Sequence, residues 1–220
     1  MALALFDLDH TLLSGDSDVL WCDFLVAEGV LDTAWRLRGA DMAAAYTAGT
    51  VAPRDYCAFQ ASLLAGRSVA ELQPLRERFL EEVVRPHIPD DARALLARHR
   101  AAGDALVLTT ATTPVVSELT ARDLGFEHYL CSELEMQGDR YTGRTLGAPN
   151  MRTGKLDRLR AWMPEHGEPE LALRRAAFYS DSINDLALLS AVGRPTVVDP
   201  DPRLESTARR KGWAVLRLKR

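Results

Sequence analysis

Acidic and hydroxyl side chains follow three apolar segments of this 220-residue chain. If those segments are strands of one parallel sheet, the side chains that follow them meet at one edge of it. Clustered carboxylates repel each other unless a cation joins them, and Mg²⁺ is a hard divalent cation that prefers oxygen ligands. The sequence therefore predicts a magnesium site built from three stretches, residues 7–11, 109–113 and 181–185.

A single mid-chain lysine accompanies these acids. The chain has 27 lysine and arginine residues, yet lysine stands only at Lys155, Lys211 and Lys219. The last two belong to the C-terminal segment, whereas Lys155 follows Thr153-Gly154 at the predicted start of a helix. A lysine ammonium is compact, while an arginine guanidinium is wide and forked. A lysine at position 155, in a chain that otherwise uses arginine almost everywhere, therefore indicates that this position needs the smaller cation.

The elements that must position these residues alternate between strands and helices after Pro89. Short apolar runs are typical of buried strands, and the stretches between them carry apolar residues at helical spacing. This alternation predicts an α/β fold, a Rossmann-like parallel sheet with helices on both faces. The predicted strands are residues 2–8, 105–110, 128–131, 176–180, 196–198 and 213–218, with a hairpin or flap at 134–147.

The stretch from Ser14 to Pro89 has a different pattern. Its apolar residues recur at helical spacing, and no strand-like run interrupts them. A crossover between parallel strands needs only a dozen or so residues, so this block is far too long for one. We expect a separate helical cap over residues 15–88 and a catalytic core formed by residues 1–14 and 89–220.

Four segments, in this order along the chain, together resemble a known family. The segments are DLDHT at residues 7–11, the apolar strand that ends in Thr110, then Lys155, and SDSIND at residues 180–185. They are similar to the four signatures of the haloacid dehalogenase superfamily of phosphatases. The helical insert directly after the first signature resembles that of the phosphoserine-phosphatase-like branch. The likeness spans essentially the whole chain, and the ordered set is far more specific than any one member.

The resemblance implies a reaction cycle with two aspartates. Asp7 would be the nucleophile that forms an aspartyl-phosphate, and Asp9 the general acid and then the general base. The spacing fits this division, because side chains at i and i+2 of an extended chain point the same way. The resemblance further implies that Asp7, the Asp9 backbone carbonyl and Asp181 hold the metal. Thr110, Ala111 and Lys155 would bind the phosphoryl oxygens. Asp185 would either support the metal site from outside its ligands or orient Lys155, and Asn184 would be a second supporting residue.

The resemblance indicates the reaction better than the substrate. Phosphoserine phosphatases usually carry a glutamate soon after the first signature and an arginine in the cap, which grip the serine head group. Near the first place stands Asp16, a shorter acid, and an ungapped match puts Gln60 at the second, although Arg54 and Arg67 lie nearby. A glutamine there would leave a serine carboxylate without its bidentate partner. We therefore expect a small amino-acid or amino-alcohol phosphate of the phosphoserine or histidinol phosphate type. His10 is either at the entrance to the site or a solvated turn residue.

Composition argues against several other classes of protein. The formal net charge is −4, which does not favour nucleic-acid binding, and no apolar run approaches the length of a membrane span. Cys22, Cys57 and Cys131 are far apart and odd in number, so neither a disulfide framework nor a zinc site fits. We expect a cytoplasmic protein that acts on a small-molecule phosphate monoester, without nucleic acid or membrane partners. The sequence does not indicate an oligomeric state.

Two other functions use similar residues. A phosphotransferase or phosphomutase would form the same aspartyl-phosphate and pass the phosphoryl group to a second alcohol. A receiver-type signalling domain also combines clustered acids, threonine and lysine around Mg²⁺. Such a domain is usually about half this length, at the lower end of domain sizes, and takes phosphate on an acid from a later strand. The large insert and the spacing of Asp7 and Asp9 argue against the receiver.

Overall fold

The computed structural model describes residues 2–219, and its central feature is a parallel sheet. The strands are β1 (Leu3–Phe6), β2 (Ala105–Thr109), β3 (His128–Leu130), β4 (Leu134–Gln137), β5 (Arg140–Thr145), β6 (Ala177–Ser180), β7 (Arg194–Val198) and β8 (Ala214–Leu216). Six of them form one sheet in the order β3-β2-β1-β6-β7-β8, with every neighbouring pair parallel. The other two, β4 and β5, form an antiparallel hairpin.

Helices flank this sheet. They are α1 (Ser17–Ala27), α2 (Ala34–Ala48), α3 (Pro53–Ser62), α4 (Val69–Phe79), α5 (Asp90–Ala101), α6 (Pro114–Asp123), α7 (Thr153–Glu165), α8 (Leu186–Ala191) and α9 (Pro202–Lys211). A π-helical turn spans Leu80–Val84, and 3₁₀ turns span Arg85–His87, Glu170–Arg174 and Ile183–Asp185. None of the helices in residues 2–219 combines the length and the apolar character that a bilayer crossing requires.

Alternate residues of β1 show that the sheet is covered on both faces. Ala4 and Phe6 belong to a hydrophobic cluster with residues of α1, α4, α5 and α6. Leu3 and Leu5 belong to a second cluster with residues of α7, α8 and α9. Successive side chains of a strand point to opposite faces, so the two clusters are two layers of core. The predicted α/β fold with helices on both faces is confirmed.

The strand order reverses beside β1. This strand pairs with β2 on one side and with β6 on the other, although β6 comes more than a hundred residues later. In open parallel sheets, ligands bind beyond the carboxyl ends of the strands at such a reversal. Asp7 directly follows β1, and its N–H donates to the Tyr179 carbonyl at 3.0 Å. Asp181 follows β6, so both acids lie at this edge.

The helical block between β1 and α5 packs against the core. Trp21 of α1 and Phe79 of α4 lie with ring centroids 5.0 Å apart and belong to the same hydrophobic cluster as Phe6. The block therefore shares apolar core with the sheet. The proposed boundaries of the cap, residues 15–88, stay a prediction.

The hairpin predicted at residues 134–147 is confirmed as β4 and β5. It pairs with the connection between α3 and α4, because the Tyr141 N–H donates to the Arg67 carbonyl at 3.0 Å and the Val69 N–H donates to the Asp139 carbonyl at 3.0 Å. The hairpin thus ties the helical insert to the later part of the chain.

Local capping signals explain where two helices of the insert begin. Asp16 caps α1, since its Oδ1 accepts hydrogen bonds from the N–H groups of Asp18 and Val19, both at 3.0 Å. Ser68 and Glu71 form a capping box at α4, in which each side chain accepts a bond from the other residue's N–H. These starts are encoded by neighbouring residues and need no tertiary contact.

The segment that the sequence predicts as one helix over residues 183–192 instead begins with a 3₁₀ turn, and α8 follows it. The Ser182 hydroxyl accepts a bond from the Asn184 N–H at 3.2 Å, and the Asp201 carboxylate accepts one from the Ile183 N–H at 2.6 Å. Side-chain oxygens thus accept hydrogen bonds from the backbone N–H groups at the start of the segment. Such side-chain bonds compete with the backbone bonds of a regular α-helix.

Asn150 ties the carboxyl ends of β2 and β3 together. Its buried Nδ2 lies 3.1 Å from the Thr109 hydroxyl, 2.9 Å from the Thr110 carbonyl and 3.0 Å from the Leu130 carbonyl. A side-chain donor at this position therefore holds the loop that enters the site from β2.

We expect Asn150→Asp to lower the free energy of unfolding by at least about 3 kcal/mol, because a buried donor becomes an acceptor that faces the carbonyl oxygens of Thr110 and Leu130. The two side chains have nearly the same volume, so packing is not the variable. Urea unfolding at pH 7 measures the change. A loss below about 1 kcal/mol, the size of an ordinary surface effect, would show that these contacts do not matter.

Candidate active site

A cavity of about 450 Å³ opens at the carboxyl ends of β1 and β6. The chain after β1 contributes Asp7 and Asp9, the chain after β6 contributes Asp181, and the first turn of α7 contributes Lys155. The helical insert contributes two tyrosines to another part of the wall. The structure thus brings together residues that are far apart in the sequence.

The ammonium group of Lys155 joins two carboxylates. Its Nζ lies 2.7 Å from Asp7 Oδ1 and 2.7 Å from Asp185 Oδ2, and all three side chains are buried. Burial alone would lower the pKa of Lys155, but the two carboxylates outweigh burial and raise this pKa above its ordinary value. Lys155 is therefore charged, which suits its predicted role of binding phosphoryl oxygens.

The start of α7 allows Lys155 to reach this position. A Cβ on Gly154 would lie 2.3 Å from the Pro149 carbonyl oxygen, so this close backbone approach requires glycine. Arg152, the residue that caps the helix, has a φ of 52° in the left-handed region. The glycine before the lysine is therefore part of how the site is built.

Asp185 is held from two directions. Its Oδ2 accepts hydrogen bonds from Lys155 and from the Ser180 hydroxyl, both at 2.7 Å. This geometry suits the predicted role of orienting the lysine. Asn184, predicted as a supporting residue, itself lines the cavity.

Asp7 and Asp9 both line the cavity, whereas Leu8 between them is buried in the hydrophobic core. The chain therefore keeps the alternation of a strand as far as Asp9, as the two-residue spacing predicts. Burial raises the pKa of Asp7 to about 7; Lys155 opposes this rise, and Asp185 and Asp9 add to it.

The Asp9 carboxylate is fixed by donors from two different loops. Its Oδ1 accepts a bond from the Ser17 N–H at 2.7 Å, and its Oδ2 accepts one from the Thr112 hydroxyl at 2.9 Å. Burial raises the pKa of Asp9 to about 6, Asp16 adds to the rise, and the bonds from Ser17 and Thr112 oppose it. A pKa near 6 suits a group that gives and takes a proton near neutral pH.

The Thr11 hydroxyl lies between the carboxylates of Asp7 and Asp181. It is 3.4 Å from Asp7 Oδ2 and 3.2 Å from Asp181 Oδ1, and it accepts a bond from the Asp181 N–H at 3.0 Å. Burial raises the pKa of Asp181 well above its usual range, and the charge of Asp7 adds to that rise. A cation beside the two carboxylates would stabilise their charged forms.

These oxygens fit a divalent cation. Within residues 2–219, no three histidine, cysteine, aspartate or glutamate side chains are arranged to hold a metal by themselves. The ligand set that the family resemblance implies has only two carboxylates, Asp7 and Asp181, and takes its third protein ligand from the Asp9 backbone. All three are hard oxygen donors, the type that Mg²⁺ prefers.

The two predicted phosphate-binding residues after β2 have different surroundings. Ala111 lines the cavity, but Thr110 is fully buried and does not. The Thr110 hydroxyl accepts a bond from the Thr112 N–H at 3.2 Å and so shapes the loop. The threonine of this loop that bonds a predicted catalytic side chain is Thr112. Contact between Thr110 and phosphoryl oxygens stays a prediction.

Of the three residues predicted to face the substrate head group, His10 and Asp16 line the cavity and Gln60 does not. Gln60 is buried on α3, one helical turn after Tyr56, and its side chain lowers the pKa of the Tyr56 hydroxyl by hydrogen bonding, although burial raises that pKa overall. On the same helix, Tyr56 lines the cavity.

Sequence reasoning missed five residues of the site, namely Thr11, Thr112, Asp18, Tyr46 and Tyr56. The first two stand inside the signatures, but the direction of their hydroxyl groups depends on loop conformation. Asp18, in the segment GDSD, was a visible signal, since it is a second acid two residues after the expected one. The two tyrosines have the spacing of ordinary core aromatics and give no signal.

Comparison with known proteins decides the family. A model of the family described as haloacid dehalogenase-like hydrolase matches residues 4–190, which is most of the chain. The chain belongs to this family. The resemblance carried by the four signatures is thereby confirmed, and the receiver-type signalling domain is ruled out as the identity of the chain.

The haloacid dehalogenase-like chain also resembles individual phosphatases over its whole length. It is 36% identical over 219 residues to the histidinol-phosphatase of Neisseria meningitidis serogroup C, covering 99% of each chain. It is 35% identical over 225 residues to a phosphoserine phosphatase of Mycobacterium tuberculosis, covering 97% of this chain and 70% of that one. A solved structure of a Bordetella pertussis protein of unknown function matches with 40% identity and a TM-score of 0.91, over 98% and 97% of the chains. The enzyme is a phosphomonoesterase of this family.

We predict that Lys155→Arg lowers turnover at least tenfold, about 1.4 kcal/mol of barrier, because a forked guanidinium cannot replace a buried ammonium held 2.7 Å from two carboxylates. The measurement is kcat for the best phosphate monoester found in a screen.

Lys211→Arg makes the same chemical change on an exposed residue of α9 and is the control. Melting curves of both variants check folding. A folded Lys155→Arg enzyme within about threefold of wild type, less than 1 kcal/mol, would mean that the ammonium is not required.

Proposed function

We propose that the protein is a Mg²⁺-dependent phosphatase that hydrolyses a small-molecule phosphate monoester through an aspartyl-phosphate on Asp7. The observation that supports this most directly is the surroundings of that carboxylate. Lys155 holds one oxygen at 2.7 Å, the Thr11 hydroxyl lies 3.4 Å from the other, and Asp9 lines the same cavity. A nucleophile, an acid–base group and a cation thus converge.

The chemistry divides between the two aspartates. An oxygen of Asp7 attacks phosphorus, the bond from phosphorus to the ester oxygen breaks, and Asp9 gives its proton to the leaving alcohol. In the second half, Asp9 takes a proton from water, the water oxygen attacks phosphorus, and inorganic phosphate leaves with Asp7 restored. The bonds from Ser17 and Thr112 keep the Asp9 carboxylate in place for both halves.

Positive charge is needed wherever the phosphoryl oxygens bind. Lys155 supplies one charge from the protein. Mg²⁺, held by the carboxylates of Asp7 and Asp181 and by the Asp9 carbonyl, would supply the larger share and offset the repulsion between the acids and the phosphate.

The proposed substrate is an amino-acid or amino-alcohol phosphate. The relative from Neisseria meningitidis is named a histidinol-phosphatase and matches this chain end to end, and the relative from Mycobacterium tuberculosis is named a phosphoserine phosphatase. Both names support a small amine-bearing phosphate. We also propose a cytoplasmic location, which three free and buried cysteines support.

We predict that Asp7→Asn abolishes hydrolysis, because the amide keeps the shape of the side chain but is not a nucleophile. Initial rates against a panel of phosphate monoesters measure the effect. Turnover within tenfold of wild type, in a preparation free of deamidated and host enzyme, would refute the role of Asp7. An alcohol added to the wild-type assay, with the phosphorylated alcohol as the measured product, separates hydrolysis from phosphoryl transfer to a second alcohol.

Removal of the metal is the second test. We predict that activity is lost in excess chelator and returns with Mg²⁺, while Ca²⁺ substitutes poorly because it takes more oxygen ligands at longer distances. The same initial-rate assay, repeated with each ion after dialysis against chelator, measures this. Full activity in chelator would contradict the metal role of Asp181.

A further inference from the structure

Acidic side chains far outnumber basic ones in the lining of the cavity. Seven aspartates line it, whereas Lys155 and Arg203 are the lysines and arginines among its described lining residues. Lys155 is already paired with two of the aspartates, and Arg203 is exposed. A phosphate ester that enters with further negative charge is disfavoured, and one that carries a cation is favoured.

One carboxylate of this set stands beside aromatic rings of the helical insert. Asp18 of α1 is buried, and its Oδ2 accepts a hydrogen bond from the Tyr56 hydroxyl at 3.1 Å. The ring of Tyr46 lies 4.7 Å from that of Tyr56, tilted by 36°, and both tyrosines line the cavity with Asp18. Aromatic rings attract organic cations, and the Arg152 guanidinium already lies 5.6 Å from the centre of the Tyr46 ring. The buried acid beside Tyr56 would add to the attraction of a substrate cation.

The acid that the family pattern points to is committed elsewhere. Asp16 Oδ1 accepts bonds from the N–H groups of Asp18 and Val19 and so caps α1. Burial raises the pKa of Asp18 well above its ordinary value, and Asp16 and Asp9 add to that rise. A bound cation would offset this cost, because an opposite charge favours the ionised carboxylate.

We propose that Asp18, positioned by Tyr56 and flanked by Tyr46, selects substrates whose alcohol part carries a cationic amine or imidazolium and no carboxylate. This inference rests on the proposed phosphatase function and narrows it from amine-bearing phosphates in general to phosphates of cationic amino alcohols. A substrate carboxylate would find only the exposed Arg203 as an uncommitted lysine or arginine among the described lining residues. Phosphoserine carries such a carboxylate, whereas histidinol phosphate does not.

The test compares kcat/KM for three substrates in the presence of Mg²⁺. Histidinol phosphate carries a cation without a carboxylate, phosphoserine carries both, and p-nitrophenyl phosphate carries neither. We expect wild-type enzyme to prefer histidinol phosphate to phosphoserine by at least tenfold. We expect Asp18→Asn to lower the ratio of histidinol phosphate to p-nitrophenyl phosphate at least tenfold, chiefly through KM for the cationic substrate.

Two further variants make the result specific. Asp55→Asn makes the same chemical change on an exposed residue of α3, next to Tyr56, and should leave the ratio unaltered. Tyr56→Phe keeps the ring but removes the donor to Asp18, and should lower the ratio by about threefold. If melting curves show that Asp18→Asn does not fold, two other measurements decide the proposal. They are the ratio of histidinol phosphate to p-nitrophenyl phosphate in Tyr56→Phe and the preference of wild type for histidinol phosphate over phosphoserine.

Each outcome has one meaning. If none of the three phosphates is hydrolysed, the proposed function fails. If p-nitrophenyl phosphate is hydrolysed but wild type does not prefer histidinol phosphate to phosphoserine, only the selection by charge is overturned. A ratio within twofold of wild type in folded Asp18→Asn, or an equal fall in Asp55→Asn, overturns the assignment to Asp18.

Discussion

The buried contact of Lys155 with Asp7 and Asp185 is the interaction on which the site depends. Charges removed from water are costly unless they are paired at hydrogen-bond distance, and both pairs here measure 2.7 Å. The need to bring Lys155 to these carboxylates constrains the backbone as well. The start of α7 lies so close to the Pro149 carbonyl that only glycine fits at position 154. Apolar side chains in place of Lys155, Asp7 and Asp185 could make the fold equally stable. The presence of three buried charged groups is therefore better explained by a role in the reaction than by a contribution to stability.

The sheet topology supplies what this contact needs. The reversal of strand order beside β1 leaves a crevice between the chain after β1 and the chain after β6. Asp7 and Asp181 enter it from those two ends, and the Thr11 hydroxyl links them. Lys155, hydroxyl groups and backbone N–H groups offset part of the repulsion between these acids.

The sequence predicts which residues meet at the sheet edge better than it predicts which residues of the helical insert line the cavity, for a physical reason. Asp7, Lys155 and Asp181 are positioned by short segments next to strands, and a strand end places its next residues reliably. Tyr56 is positioned by the packing of α3 against its neighbours, which no local pattern encodes, and the sequence instead pointed to Gln60 on the same helix. Likewise, nothing in the loop after β2 shows that Thr112 contacts Asp9 while Thr110 turns inward.

The two ends of the cavity are built by different parts of the fold, and this has a functional consequence. The reacting groups belong to the sheet edge, whereas Asp18, Tyr46 and Tyr56 belong to helices of the insert. The insert is held to the core by apolar packing and by backbone bonds from the hairpin β4–β5, and at the start of α1 the Ser17 N–H also donates to Asp9. Under the proposed function, substitutions of Asp18 or Tyr56 would change the head group that is accepted, because neither side chain contacts Asp7, Lys155 or Asp185.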